Sequence, residues 1–386
     1  MANVKDEELL LQQLKRNYTL CKYCLKRHIP SVRVARMMDQ ENCFICGGLM
    51  SNIDLIHSKI LSAVKNVYEF DSFLIGATIP TKYYEREDYI RAKFKIRGKE
   101  NVKIQLTREL RRRFLNITRT KLDFLVPDIL INIAIDNNNN VDIIVKARPL
   151  HFFGRYIKKY RGIQQKQSKC GDCKGKGCLL CDYSGLSGYN SIEGIIAKRL
   201  ISITKGKNPK FTWIGTEDEE SVVLGKGRPF FACISNPQNR KFDNNLKFSE
   251  NGVIVTLSPK SDNVIDSSLI FTTKIKILVE CDKALINLDL EGLKVHCGST
   301  VRFESKSRQF IKRIYSLKVQ KVDLNRFSIL ILTDIGFQVR QFIGERNNAK
   351  PNVSDILNSK CKCISFDILD VHMQQRFFRL CHFYNI

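Results

Sequence analysis

Eight of the chain's fourteen cysteines fall in four Cys-x-x-Cys pairs, and this spacing constrains the fold more than any other feature. Cys21/Cys24 and Cys43/Cys46 flank an 18-residue spacer, whereas only four residues separate Cys170/Cys173 from Cys178/Cys181. Two residues between thiols let both sulfurs of a tight turn point at one ion about 2.3 Å away, and two such turns complete a tetrahedron. LCKYCLKR and NCFICGG therefore predict zinc knuckles near the amino end, and CGDCKGKGCLLC predicts a second, compact four-cysteine site. Four thiolates leave no open position for a substrate, so both sites are expected to hold structural zinc. A disulfide framework suits secreted chains, and the acidic, amphipathic opening MANVKDEELLLQQLKRN is unlike a signal peptide. The other six cysteines are expected to be mostly ordinary buried thiols.

Charge narrows the partners. Lys and Arg number 64 against 39 Asp and Glu, a surplus of +25 in a 386-residue chain with 43% hydrophobic residues. Such a chain can bury a core in each of two or three domains, so the surplus is not that of a disordered tail. No apolar run approaches the roughly 20 residues that cross a bilayer. The expectation is a cytoplasmic, monomeric protein with no membrane association that meets a polyanion, and nucleic acid is the first candidate.

The hydrophobic pattern predicts an α+β chain. Helices are expected over residues 7–17, 51–68 and 101–116, the last carrying Arg111, Arg112 and Arg113. FDSFLIGATI and RAKFKIRG read as strands, and PDILINIAID with VDIIVKARPL as a hairpin around an Asn-rich loop. In GRYIKKYRGIQQKQ the basic residues Arg155, Lys158, Lys159 and Arg161 are interleaved with Tyr156 and Tyr160. Aromatic rings stack on splayed bases while cations meet phosphates, so this stretch is a candidate RNA-binding segment. SIEGIIAKRLISITKG is a helix capped by Ser191 and ended by Gly206. Beyond it, FFACISN, GVIVTLS, KIKILVEC, IYSLKVQKV, FSILILTD and CISFDILDV predict a mixed, mostly antiparallel sheet.

Walker, Rossmann, HExxH and GxSxG motifs are missing. The informative stretch is FTWIGTEDEESVVLGKGRPFFACI, where the acidic run Glu217–Asp218–Glu219–Glu220 interrupts a basic chain. Carboxylates facing RNA are repelled unless one of them does chemistry.

This stretch resembles the central motif of the archaeal and eukaryotic tRNA pseudouridine synthases that modify the T-loop at positions fifty-four and fifty-five. In that family Gly-x-Glu-Asp precedes Leu-Gly-x-Gly-Arg-Pro-Phe; here these read Gly215–Asp218 and Leu224–Phe230. The resemblance extends over most of the chain: the amino-terminal zinc knuckle, a THUMP-like region ending in Gly-Arg-Tyr-x-Lys at Gly154–Lys158, the helix SIEGIIAKRL, and GFQVRQFIGE followed by PNVSDIL. It implies a zinc-knuckle segment at residues 1–55, a THUMP-like α/β RNA-binding domain at 56–168, and a pseudouridine-synthase domain at 169–386 that carries the second four-cysteine motif.

By resemblance Asp218 is the catalytic aspartate, and the reaction breaks the C1′–N1 glycosidic bond, turns the freed uracil and rejoins it through C5. That isomerisation uses no organic cofactor. The carboxylate either attacks C1′ or removes a proton from C2′. Arg340 matches the family's basic residue, implied to pair with Asp218 and keep it ionised and oriented. Arg228, in the Gly-Arg-Pro turn, is implied near the substrate pocket, supporting the loop or a phosphate, and Leu357 is implied to pack near that pocket. The family's stacking tyrosine is replaced, with Ile275 at its position; Tyr315 is the substitute candidate. The tRNA T-arm is the implied partner, held by Lys158, Lys159, Arg161 and Arg111–Arg113, and the target uridine must be extruded from its stack. The competing expectation is a catalytically silent tRNA-binding or chaperone protein of the same fold.

Overall fold

In the computed structural model, residues 4–31, 42–97, 100–243, 245–260, 269–285, 287–305, 308–345 and 348–375 are described. Contacts divide the chain into one unit of Met1–Arg148 with Asn236–Arg240 and a second of Pro149–Ser235 with Lys241–Ile386.

The first unit runs α1 (Val4–Asn17), α2 (Lys22–His28), α3 (Ile53–Val64), β1 (Ser72–Thr78), α4 (Thr81–Lys93), α5 (Val102–Thr118), β2 (Lys121–Leu122), β3 (Ile129–Ile135) and β4 (Val141–Ala147). The sheet order is β2-β1-β3-β4, with β1 parallel to both neighbours and β3–β4 forming the expected antiparallel hairpin. Alternation buries Phe73 and Ile75 on β1 and Ile129, Ile131 and Ile133 on β3. Helix α5 begins at Asn101, whose side chain accepts a bond from the Ile104 amide. It buries Val102, Leu106, Leu110 and Phe114, a stripe at four-residue intervals. The expected strand RAKFKIRG is instead the end of α4 and its exit turn. The helix face there is Tyr83, Glu87 and Ile90, and a buried glutamate within the apolar stripe conceals the helical period. Glu87 is held by Arg27 at 2.6 Å and Arg91 at 3.1 Å.

The second unit contains β5 (Leu150–Lys158), α6 (Ile192–Thr204), β6 (Lys207–Trp213), β7 (Val223–Ser235), β8 (Leu246–Glu250), β9 (Val253–Lys260), β10 (Leu269–Cys281), α7 (Asn287–Lys294), β11 (Thr300–Ser305), β12 (Arg308–Lys321), β13 (Arg326–Asp334), α8 (Val339–Ile343), β14 (Ala349–Lys350), α9 (Val353–Ile356) and β15 (Cys361–Gln375). Ten strands run in the order β14-β11-β12-β13-β10-β15-β7-β5-β9-β8, with β6 joined to β7. Neighbours are antiparallel except β15–β7, which meet in parallel at Ile368 and Val223. This is the mixed, mostly antiparallel sheet expected. Ser191 caps α6 by accepting from the Gly194 amide, and Ile192, Ile195, Ile196 and Leu200 of that helix join the sheet's core.

The chain leaves the first unit at Arg148, not near residue 168 as the sequence suggested. The reason is β5, which is hydrogen-bonded on both edges, to β7 and β9, inside the larger sheet. Residues 236–240 return to the first unit, where Arg240 lies 3.5 Å from Asp128 and its amide donates to Glu69.

Candidate active site

The loop between β6 and β7 carries the acidic run. Its entry turn needs Gly215, with φ +82°; a Cβ there would lie 2.4 Å from Arg228 Nη1. Arg228 is buried beneath the loop, donating through Nε to Glu217 at 3.1 Å and through Nη1 to the Ile214 carbonyl. Lys158, at the end of β5, is also fully buried. Its Nζ lies 3.5 Å from Glu217 Oε1 and donates to the carbonyls of Ile163, Asp218 and Glu219 at 2.9–3.0 Å. Burial pushes the Lys158 ammonium below its usual range, with Glu217 opposing that shift. Glu217 thus points inward between two buried cations.

Asp218 points the other way. Arg340, on α8, places Nε 2.7 Å and Nη2 2.6 Å from Asp218 Oδ2. Arg340 is held in turn by Glu345 at 3.3 Å and the Cys363 carbonyl at 3.4 Å. Burial alone would lower the guanidinium's pKa, but the bond to Asp218 and the nearby carboxylates raise it. The side chains of Asp218 and Arg340 remain 35% and 41% exposed, so the pair is open to a ligand. They line a cavity of about 200 Å³ with Thr216, Glu217, Phe337, Gln338, Val339, Gln341, Glu345 and Phe366. That is below the roughly 300–1,000 Å³ of drug-sized sites and suits one small planar group. A carboxylate fixed by a guanidinium at the mouth of such a cavity can act as nucleophile or base.

Several expected site residues lie elsewhere. Arg228 does not line the cavity; it supports the loop from below. Tyr315, on β12, is 42% exposed, and its hydroxyl donates to Asp334 at 2.9 Å. Leu357 is buried in the core just after α9, and Ile275 is buried on β10. Sequence reasoning missed Phe337, Phe366, Gln341 and Glu345, which reach the cavity only through the packing of α8 on β15.

The basic–aromatic stretch is also largely internal. Tyr156 is fully buried, accepting from Gln165, so it cannot stack on a base. Arg155 donates to the carbonyls of Gly227 and Val371. Arg161 grips Asp367 through two bonds of 2.8 and 2.9 Å and also the Glu220 carbonyl. Lys158 anchors the acidic loop. Lys159 and Tyr160 remain exposed. In the first unit, Arg111 donates twice to the Ile75 carbonyl and Arg113 pairs with Asp54. Arg112 is exposed and pairs with Glu109 at 2.9 Å; with Lys22, Lys26, Arg97 and Arg108, and the acids Glu100 and Glu109, it lines a net-basic cavity of about 740 Å³.

Both cysteine quartets converge: the four sulfurs of each lie within 4.8 Å of one another. A tetrahedron with metal–sulfur bonds near 2.3 Å has edges of about 3.8 Å. The observed separations are 3.7 Å for Cys21–Cys46, 3.8 Å for Cys173–Cys181, 3.7 Å for Cys178–Cys181 and 4.0 Å for Cys170–Cys178. In the second quartet the amides of Gly177 and Gly185 donate to Cys173 and Cys181, the pattern that steadies thiolate ligands. The residues fit a metal ion at both places.

Residues 56–134 match the family described as Pus10 THUMP domain, archaeal, and residues 151–285 match Pus10, C-terminal. The chain is 32% identical to a protein named tRNA pseudouridine synthase Pus10 from Nitrosopumilus maritimus, covering 95% of this chain and 98% of that one. It is 31% identical to the protein of that name from Methanocaldococcus jannaschii, covering 92% and 80%. The chain belongs to the Pus10 family of tRNA pseudouridine synthases.

Proposed function

We propose that this protein isomerises uridine to pseudouridine in the T-loop of tRNA, at position fifty-four, fifty-five or both, with Asp218 as the catalytic residue. The observation that carries the reading is the Asp218–Arg340 pair, open at the mouth of a cavity sized for one base. The C1′–N1 bond breaks, uracil turns, C1′ bonds to C5, the C5 proton leaves and N1 gains one, so the atoms balance without oxidant or reductant. Asp218 serves either by attacking C1′ or by taking a proton from C2′, and Arg340 orients it for both. Glu217, Lys158 and Arg228 hold the backbone on which Asp218 stands.

The first unit, with the zinc knuckle and the THUMP match, holds the tRNA. The basic cavity around Arg112 and the exposed Lys159 supply cations for phosphates, and each released counterion makes binding salt-sensitive. Both four-cysteine clusters hold structural zinc. The protein acts in the cytoplasm as a monomer, and among the described residues no helix is long and apolar enough to cross a membrane.

The test is incubation of purified protein with an unmodified tRNA transcript, followed by mapping of pseudouridine in the T-loop. Product from the wild type and none from Asp218→Asn is expected. No product from the wild type would favour a tRNA-binding protein without activity; full activity in Asp218→Asn would remove Asp218 from the mechanism.

A further inference from the structure

Four aromatic rings gather at the surface of the first unit, drawn from three parts of the chain. Tyr18 follows α1, Phe44 lies between Cys43 and Cys46, and Tyr89 and Phe94 belong to α4 and its exit. Tyr18 is the hub: its ring centroid lies 4.8 Å from Phe44, 6.1 Å from Phe94 and 6.5 Å from Tyr89. The first cysteine quartet brackets two of the rings, and the Phe44 amide donates to the Thr19 carbonyl at 2.8 Å, tying its two halves together. Tyr18, Phe44 and Phe94 are half-buried against the unit's core, whereas Tyr89 is 52% exposed. A lone exposed ring needs no explanation, but a contiguous apolar patch rimmed by polar groups marks an interaction site.

The charge around the rings selects the ligand. Lys93 Nζ lies 5.2 Å from the Tyr18 centroid, 5.6 Å from Tyr89 and 5.8 Å from Phe94, and it donates to the Tyr18 hydroxyl at 2.9 Å. Arg86 stands 5.8 Å over Phe44. An empty aromatic cage takes a cation from outside; this one is filled by the protein's own cation, so a second is repelled. The charged neighbours of Tyr89 one turn away on α4 are Glu85, Arg86 and Lys93. With Asp88 beside Tyr89, and Lys15 and Arg16 ending α1 just before Tyr18, the rim is net positive. A ligand with a flat π-face and an anionic backbone fits such a surface, and that ligand is a nucleotide.

Resting on the tRNA binding proposed above, we infer that this cluster is a stacking platform for an unpaired nucleotide of the tRNA. The base lies on the open Tyr89 ring, and its phosphates meet Lys93 and Arg86. A base inside a duplex shows no free face, so the platform takes one that is unstacked. It contributes no reacting group: it lies in the first unit, whereas Asp218 and Arg340 lie in the second.

Filter binding of the full-length protein tests this, with an unmodified tRNA transcript and a fully paired RNA duplex compared across a range of salt. Tyr89→Ala is expected to weaken tRNA binding about tenfold, the scale of one base–aromatic stack, with the salt slope of wild type. Duplex binding should not change in that variant. Tyr89→Phe keeps the ring and should bind tRNA as wild type does. Lys93→Gln should lower the salt slope by about one. Equal tRNA affinity in wild type and Tyr89→Ala overturns the inference, and so does a loss of the same size on the duplex. A Tyr89→Phe protein as weak as Tyr89→Ala overturns it too, since the ring is then not what binds. The readout is binding, so a protein that holds tRNA without converting uridine defeats the isomerase reading while the Tyr89→Ala ratio still decides this one. A wild type with no affinity for tRNA overturns both.

Discussion

Replacing Lys158 with methionine separates two roles that the sequence alone merges. On the surface, this lysine would be one phosphate contact, worth little to stability. In the structure its ammonium is buried, facing Glu217 and donating to three carbonyls of the acidic loop and its approach. Lys158→Met keeps most of the volume but strands those acceptors and leaves Glu217 with Arg228 alone. Removing one member of a buried pair typically costs about 3–5 kcal/mol, against a total stability of roughly 5–15 kcal/mol. Chemical denaturation should therefore show a large loss in Lys158→Met. Activity should fall as the Asp218 loop loosens, while the salt dependence of tRNA binding keeps its slope. Lys159→Met should do the reverse: stability within about 0.5 kcal/mol of wild type and a salt slope reduced by about one. The double variant Lys158→Met/Glu217→Gln, which removes both charges, should be less destabilised than the sum of its single changes. A Lys158→Met protein of wild-type stability with a shallower salt slope would refute this reasoning.

Arg340→Ala should lower kcat by about 10²-fold, as expected when a charge-assisted contact to the reacting group is lost, with little change in tRNA affinity; single-turnover kinetics and filter binding report the two separately. Tyr315→Phe should leave activity at wild-type level, because that hydroxyl meets Asp334 and not the cavity. Gly215→Ala should lower the melting temperature and the activity together, since the new Cβ would sit at φ +82° and press on Arg228. Elemental analysis should find two zinc ions per chain; Cys43→Ser should release one and Cys178→Ser the other, each with loss of stability in its own unit by hydrogen exchange.

The cysteine quartets and the Asp218–Arg340 pair were legible because fixed spacing or an ordered set of motifs carries them. The inward face of β5 was not. Phe152, Gly154, Tyr156 and Lys158 alternate into the core, but the last two read in sequence as a basic–aromatic surface, since a pattern of types does not say which side of a strand faces out. Sequence left Arg228 open between supporting the loop and meeting a phosphate for the same reason: a buried arginine and one that meets phosphate are spelled alike. Glu87 hid the period of α4. Phe366 and Gln341 carry no local signal, the first because an apolar strand position reads as core, the second because one amide in a short helix has no pattern. Only the packing of α8 against β15 gives them a cavity.

The acidic run is the place where these strands of argument meet. In a chain of net +25, four successive acidic residues would ordinarily be solvated alike, yet here they diverge. Glu217 turns inward to two buried cations, Asp218 turns outward to Arg340, and Glu219 accepts from Gln164 at 3.1 Å. Because Glu217 and Asp218 are adjacent and point to opposite sides, fixing one fixes the other. A slip of one residue would bury Asp218 against Lys158 and bring Glu219, with its longer side chain, to the cavity. The buried Glu217–Lys158–Arg228 cluster, whose desolvation makes it a poor source of stability on its own, therefore acts as the register lock that presents an aspartate, rather than any neighbouring carboxylate, at the cavity mouth.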